Sequence, residues 1–199
     1  MISKIGSSAI VLLFLAALTA CSTTARGIGY LNPEHHGYRL TKTAVYVNNS
    51  GEFIDRLEKE VVAALNAKGV AAIGVRDKAR FAKNDQDFQQ KVWAEDINEV
   101  IILVVSDSSG SSVGGYQTFG SANTVGTTTS GLATTVPIVV DYRSMTTAGV
   151  VYKRGGDKVW KGGTELNVRG RINVGDDKAL NVTVKSLMGA LSKDGLVTK

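Results

Sequence analysis

Residues 99–106 read Glu-Val-Ile-Ile-Leu-Val-Val-Ser, with nothing but aliphatic side chains from Val100 to Val105. A half-exposed strand alternates apolar and polar residues, and an amphipathic helix spaces its apolar residues by three and four. An unbroken, β-branched run of this length fits a strand covered on both faces. Toward the N-terminus, Thr43 to Asn48 (TAVYVN) alternates and reads as another strand. Ser50 is placed to cap a helix, with Glu52 and Asp55 favourable in its first turn. Ile54, Leu57, Val61 and Leu65 give that helix one apolar face, and Gly69 stops it. Val70 to Val75 reads as a short strand, and Asp85 to Glu95 as a second helix with Phe88, Val92 and Trp93 on its inner side.

Toward the C-terminus the pattern breaks. Asp107 to Thr135 is almost wholly Gly, Ser and Thr, with Tyr116, Phe119, Val125 and Leu132 scattered in it. It reads as a long loop, and long loops in compact domains are functional or disordered. Val136 to Tyr142 resumes as a strand. Thr147 to Tyr152 and Lys158 to Trp160 flank Arg154-Gly155-Gly156-Asp157 as a hairpin. Thr164 to Asn173 alternates, with Leu166, Val168 and Ile172 on one face. Asp176 or Asp177 is placed to cap a last helix with Leu180, Val184, Leu187 and Leu191 inside, ended by Gly195. The expected order is β-α-β-α-β, long loop, β-β-β-β-α. That is an α/β protein of the mixed α+β kind, with a single mixed sheet and about three helices.

The chain has 199 residues, 43% hydrophobic and 21% charged, an ordinary globular balance. Its net charge of +5 is mild. It carries no dense basic stripe of the kind that binds nucleic acid. The single cysteine rules out an intrachain disulfide. Lys4 followed by the apolar run Ala9 to Ala17 reads as a signal peptide over residues 1–20, too short for a comfortable membrane span. Ser22 to Leu40 shows no apolar periodicity and holds Gly27, Gly29, Pro33 and Gly37. Residues 21–40 are therefore expected to be a flexible tether, and residues 41–199 the folded domain.

Leu18-Thr19-Ala20-Cys21 resembles the lipobox of bacterial lipoproteins. The resemblance implies cleavage between Ala20 and Cys21, a diacylglyceryl group on the Cys21 thiol and an acyl chain on the new amine. Ser22 rather than Asp after the cysteine is similar to the enteric signal for the outer membrane, with the domain facing the periplasm. Behind this leader, the element order resembles a broad group of small envelope lipoproteins. The group includes the curli-secretion lipoprotein and the activators of penicillin-binding proteins. The resemblance is carried by Ser50 to Gly69 leading into Val70 to Val75, by the central strand at Glu99 to Ser106, and by a hairpin. That hairpin runs Val150-Val151-Tyr152, then Lys158-Val159-Trp160-Lys161-Gly162. It implies a fold and a compartment, and no particular activity.

Catalytic constellations are sparse. The histidines are His35 and His36, adjacent in the expected tether, and side chains adjacent in extended chain point apart. No histidine lies in the expected folded domain to act as base for a serine, and Ser186 and Lys185 fall on the last helix. The Gly-rich run lacks the Gly-Lys-Ser/Thr ending of a phosphate loop. The expectation is a non-enzyme with no metal and no cofactor beyond the covalent lipid on Cys21. Tyr116 and Phe119 are candidate partner anchors in the 107–135 segment. Lys153, Arg154, Lys158, Lys161, Arg169 and Arg171 are candidates for an anionic surface. The expected partners are the membrane, through lipid, and an envelope protein or a second copy of this chain; no small-molecule substrate is indicated. In the curli pore such insertions become membrane-spanning hairpins. Residues 107–135 do not alternate in that way, so an oligomeric secretion or pore component is the alternative function, and a cell-wall hydrolase a more distant one.

Overall fold

The computed structural model describes residues 22–125, 128–170 and 175–198. The leader, Cys21 and Arg171 lie outside them. Six strands form one mixed sheet in the order β1-β6-β5-β4-β2-β3. They are β1 (Ser22–Leu31), β2 (Lys42–Asn48), β3 (Ala71–Gly74), β4 (Glu99–Val125), β5 (Thr128–Lys153) and β6 (Lys158–Gly170). The helices are α1 (Glu52–Ala67), α2 (Arg76–Arg80), α3 (Asp85–Trp93) and α4 (Asp176–Lys193). The expected α/β class with a single mixed sheet is the observed one. The chain divides into two compact units. One is built on Ser109–Arg143. The larger holds Thr24–Ser108, Ser144–Asn167 and α4.

In the larger unit, β2 lies between β3 and β4 and is parallel to both, with Lys42 opposite Ala71 and Thr43 opposite Glu99. Alternation sends the side chains of β2 to opposite faces. Ala44 and Tyr46 join Val75, Phe88, Val92, Trp93, Ile97, Val100 and Ile102 in a core beneath α2 and α3. Val45 and Val47 are fully buried on the other face, where α1 packs against β2, β3 and α4. Ile54, Leu57, Val61 and Leu65 are all buried, as the helical spacing requires, and so are Leu180, Leu187 and Leu191 on α4. Ile101 and Leu103 are fully buried and Val100 nearly so, which bears out a central strand covered on both faces. Val104 is exposed.

Several expectations change. The residue before α1 is Gly51, which makes no side-chain cap bond, and Ser50 stays outside. Gly175 precedes α4, so Asp176 and Asp177 sit in its first turn. The last four expected strands are two: β5 and β6 run unbroken through the stretches between them. The expected tether is, from Ser22 to Leu31, an edge strand beside β6. Its inward residues are Thr23, Ala25, Gly27, Gly29 and Leu31, and its outward ones include Ile28 and Tyr30. The small side chains face in because large neighbours lie on them. A methyl group at Gly29 would strike the Trp160 indole, and one at Gly27 would strike the backbone of α4 at Ser186. Trp160 is itself buried and donates from Nε1 to Asp194 at 2.7 Å.

Glu58 is a buried carboxyl on α1, accepting from Val47 N at 3.4 Å and Arg76 N at 3.3 Å. Burial pushes its pKa up, against the opposing pull of those two backbone N–H groups and the Arg76 charge. Asp77 adds to the rise, and Asp55 draws the Arg76 guanidinium at 2.6 Å. An acid whose pKa is raised on folding holds its proton more tightly in the native state. Its contribution to stability is complete below the unfolded value of about 4.3 and is lost as pH rises through the folded value. Denaturant titrations across this range should show Glu58→Gln flattening the alkaline-side decline. A wild-type difference that is independent of pH would contradict it.

Candidate functional site

The 107–135 segment is not a loop. Asp107 to Val125 completes β4, and Thr128 to Thr135 opens β5. Cross-strand contacts in this unit run antiparallel. Ser111 Oγ donates to Asp141 at 2.6 Å, and Thr118 Oγ1 meets Thr135 Oγ1 at 2.9 Å. These two rungs differ by one residue in register, so the ladder between them accommodates one extra residue, a β-bulge. Near the base one face pairs glycines of β4 with large side chains of β5. A methyl at Gly110 would strike the Tyr142 ring, and one at Gly114 would strike Val140. Glycine is needed there so that Val140 and Tyr142 can lie across the neighbouring strand, with Ile138 beside them. The other face carries Ser111, Asp141, Val113 and Val139.

From Ser108 to Val140 no residue is charged, in a chain that is 21% charged. Among the described residues, six of the ten exposed large apolar ones lie in this stretch or at its base: Val113, Tyr116, Phe119, Val136, Val139 and Tyr142. β2 accompanies β4 only as far as Val104, opposite Asn48. A two-stranded hairpin alone is marginal in water, and a long, uncharged edge is a template for another strand.

The other sequence candidates are dispersed. Tyr116 and Phe119 are exposed, at 71% and 56%. Lys153 pairs with Asp157 at 2.8 Å across the β5–β6 turn. Arg154 lies 3.9 Å from Asp96 and donates to the Trp93 carbonyl at 3.2 Å. The Lys158 ammonium sits 5.8 Å from the Tyr152 ring centroid. Lys161 and Arg169 are exposed on β6. The described members of the basic set thus have separate local partners or positions and do not converge on one point. His35 belongs to a 3-10 turn at Pro33–His35 and meets the Tyr38 ring edge-on at 6.1 Å. Among the described residues no three His, Cys, Asp or Glu side chains converge for a metal, and no helix is long and apolar enough to cross a membrane. Lys185 is exposed on α4 and Ser186 is half-buried against β1.

The chain is similar to PelC. The PelC dodecamer from Paraburkholderia phytofirmans is 14% identical, with a TM-score of 0.47 over 88% of this chain and 99% of that one. A single-substitution variant of it, also a dodecamer, gives 14%, 0.48, 85% and 97%. A PDZ domain protein from Parabacteroides distasonis is 11% identical, with a TM-score of 0.31 over 92% of this chain and 39% of that one. No protein-family model and no curated protein matches the sequence.

Proposed function

We propose that this protein is an envelope lipoprotein, held to the outer membrane by acyl chains on Cys21, that works by assembly and not by catalysis. Its assembling element is the β4–β5 hairpin. Copies join edge to edge through it into a closed ring of strands, as an oligomeric secretion or pore-type component. One observation carries this reading: a hairpin without charge from Ser108 to Val140 that leaves Val113, Tyr116, Phe119, Val136 and Val139 exposed. Closure is what removes edges from a sheet, and a spanning strand needs about 9–11 residues, which both arms exceed. The base rungs already set a face with Ile138, Val140 and Tyr142 against one that holds the Ser111–Asp141 pair together with Val113 and Val139. A barrel in a membrane needs that division between lipid and lumen.

The test is the mass of the detergent-extracted protein by light scattering. Full-length chain should form a discrete oligomer. A variant with residues 110–140 replaced by Asn-Gly should be monomeric and keep its far-ultraviolet spectrum. Cys21→Ala should lose labelling by radioactive fatty acid. A strictly monomeric full-length chain would overturn assembly. A mature protein with a free Cys21 thiol would overturn the anchor.

A further inference from the structure

Within the larger unit, a half-open cleft of about 820 Å³ lies over the sheet face beneath α3 and beside the β5–β6 turn. Its volume falls in the range of small-ligand sites. Four aromatic side chains line it: Tyr46, Phe88, Trp93 and Tyr152. Tyr46 and Phe88 lean together, centroids 5.2 Å apart at 52°. Val100 and Ile102 floor it. The rim is polar, with Asn48, Gln89 and Asp85.

Two features define what fits. No Lys, Arg or His lines the cleft, and one carboxylate does. Phosphates, nucleotides and acidic headgroups would meet Asp85 and no basic residue in the lining itself, the Lys158 ammonium by the Tyr152 ring and the Arg154 guanidinium at the Trp93 carbonyl standing outside it. Second, all four rings are half-buried, yet the Tyr46 and Tyr152 hydroxyls and the Trp93 indole N–H make no hydrogen bond among the described residues. An acyl chain or aliphatic peptide would cover these groups and leave them unsatisfied, at a cost. A pyranose ring satisfies both demands. Its C–H faces lie on aromatic rings while its equatorial hydroxyls reach hydroxyls, amides and the carboxylate at the edge. The open side of the cleft leaves room for the sugars before and after it.

We propose that this cleft binds a neutral glycan, stacked on Trp93 and Tyr152 and hydrogen-bonded by Gln89 and Asn48. The site is separate from the hairpin and stands or falls independently of the assembly reading. The test is calorimetric titration of the full-length protein, in a detergent without a sugar headgroup, with cellotetraose and N-acetylated chitotetraose. Oligogalacturonate is the anionic comparison. A neutral oligosaccharide should give saturable heat. Trp93→Ala and Tyr152→Ala should each weaken it about fivefold or more. Gln89→Ala, a rim change that leaves the core intact, should weaken it less. The 110–140 replacement should leave it unchanged. Tryptophan emission gives a second reading, since Trp160 is buried and bonded to Asp194, and a shift on binding reports Trp93. No heat with either neutral glycan would overturn the proposal. So would tighter binding of oligogalacturonate, or affinity unaffected by all three side-chain variants.

Discussion

Ile138→Arg should abolish the oligomer while leaving the larger unit folded. Ile138 sits on the hairpin face where β5 side chains lie over the glycines of β4, beside Val140 and Tyr142. On the lipid-facing side of a spanning strand an Arg or Lys costs about 2–4 kcal/mol near the bilayer midplane. In a closed ring every copy carries the substitution, so the penalty recurs once per subunit and the assembled state empties. Ser111→Lys is the control. It places the same kind of charge on the opposite face, beside Asp141 at the present 2.6 Å contact, where it gains a partner. The expected result is monomer for Ile138→Arg and wild-type mass for Ser111→Lys, by light scattering in the same detergent. Far-ultraviolet spectra and denaturation midpoints of the larger unit should match in both, because neither residue belongs to its core. Equal oligomerisation of the two variants would mean that the faces are not distinguished by lipid, and the hairpin reading would fall.

The sequence shows the parallel half of the sheet plainly. Val100 to Leu103, the α1 spacing and the α4 spacing are all strong apolar periodicities, and each marks an element that exists because it buries that face. The rest was hidden by two physical circumstances. In β1 the usual pattern is inverted: the inward positions hold Ala25, Gly27 and Gly29, because Trp160 and α4 fill the space a side chain would take. A strand whose core is supplied by its neighbours carries no apolar signal of its own. In β4 and β5 the bulge between the Ser111–Asp141 and Thr118–Thr135 rungs changes which parity faces which side. Alternation counted straight through 107–135 therefore cancels, and the segment reads as a loop. The signal that survives in sequence is the absence of charge from Ser108 to Val140. A solvated loop of that length has no reason to avoid charge, whereas strands that meet lipid or one another do. The cleft was invisible for a different reason: Tyr46, Phe88, Trp93 and Tyr152 come from three elements, and their spacing in the chain says nothing about one another.

Glu99→Ala should be among the most destabilising single changes in the larger unit. Glu99 opens β4 and is 1% exposed. Its Oε1 accepts from the Tyr38 hydroxyl at 3.0 Å and from Thr41 Oγ1 at 3.0 Å. Its Oε2 accepts from Thr41 N at 3.3 Å, Lys42 N at 3.2 Å and Thr43 Oγ1 at 3.0 Å. A carboxylate is acceptor-only, so five donors converge on two oxygens with every contact favourable. Among the described residues no ammonium or guanidinium takes part, and the Lys42 amine pairs with Asp96 at 3.0 Å. The donors come from the chain that leads into β2, so this side chain fixes where β2 begins against β4, with Thr43 opposite Glu99. The same contact acts on Tyr38: burial first, then the hydrogen bond to Glu99, pushes its hydroxyl pKa well above the usual phenol value. Alanine takes the acceptor from five donors at once, the Thr43 hydroxyl among them fully buried, and should cost about 3 kcal/mol. For a domain of this size that is a fall of about 10 °C in Tm. Tyr38→Phe removes one donor at the half-exposed end and should cost about 1 kcal/mol. Glu99→Gln should fall between them, because its amide nitrogen must face donors on one side. Urea denaturation of the three variants gives the ordering directly. A Glu99→Ala protein within about 1 kcal/mol of wild type would show that the β2–β4 register is held by the apolar core alone and that the carboxylate only fills a polar gap.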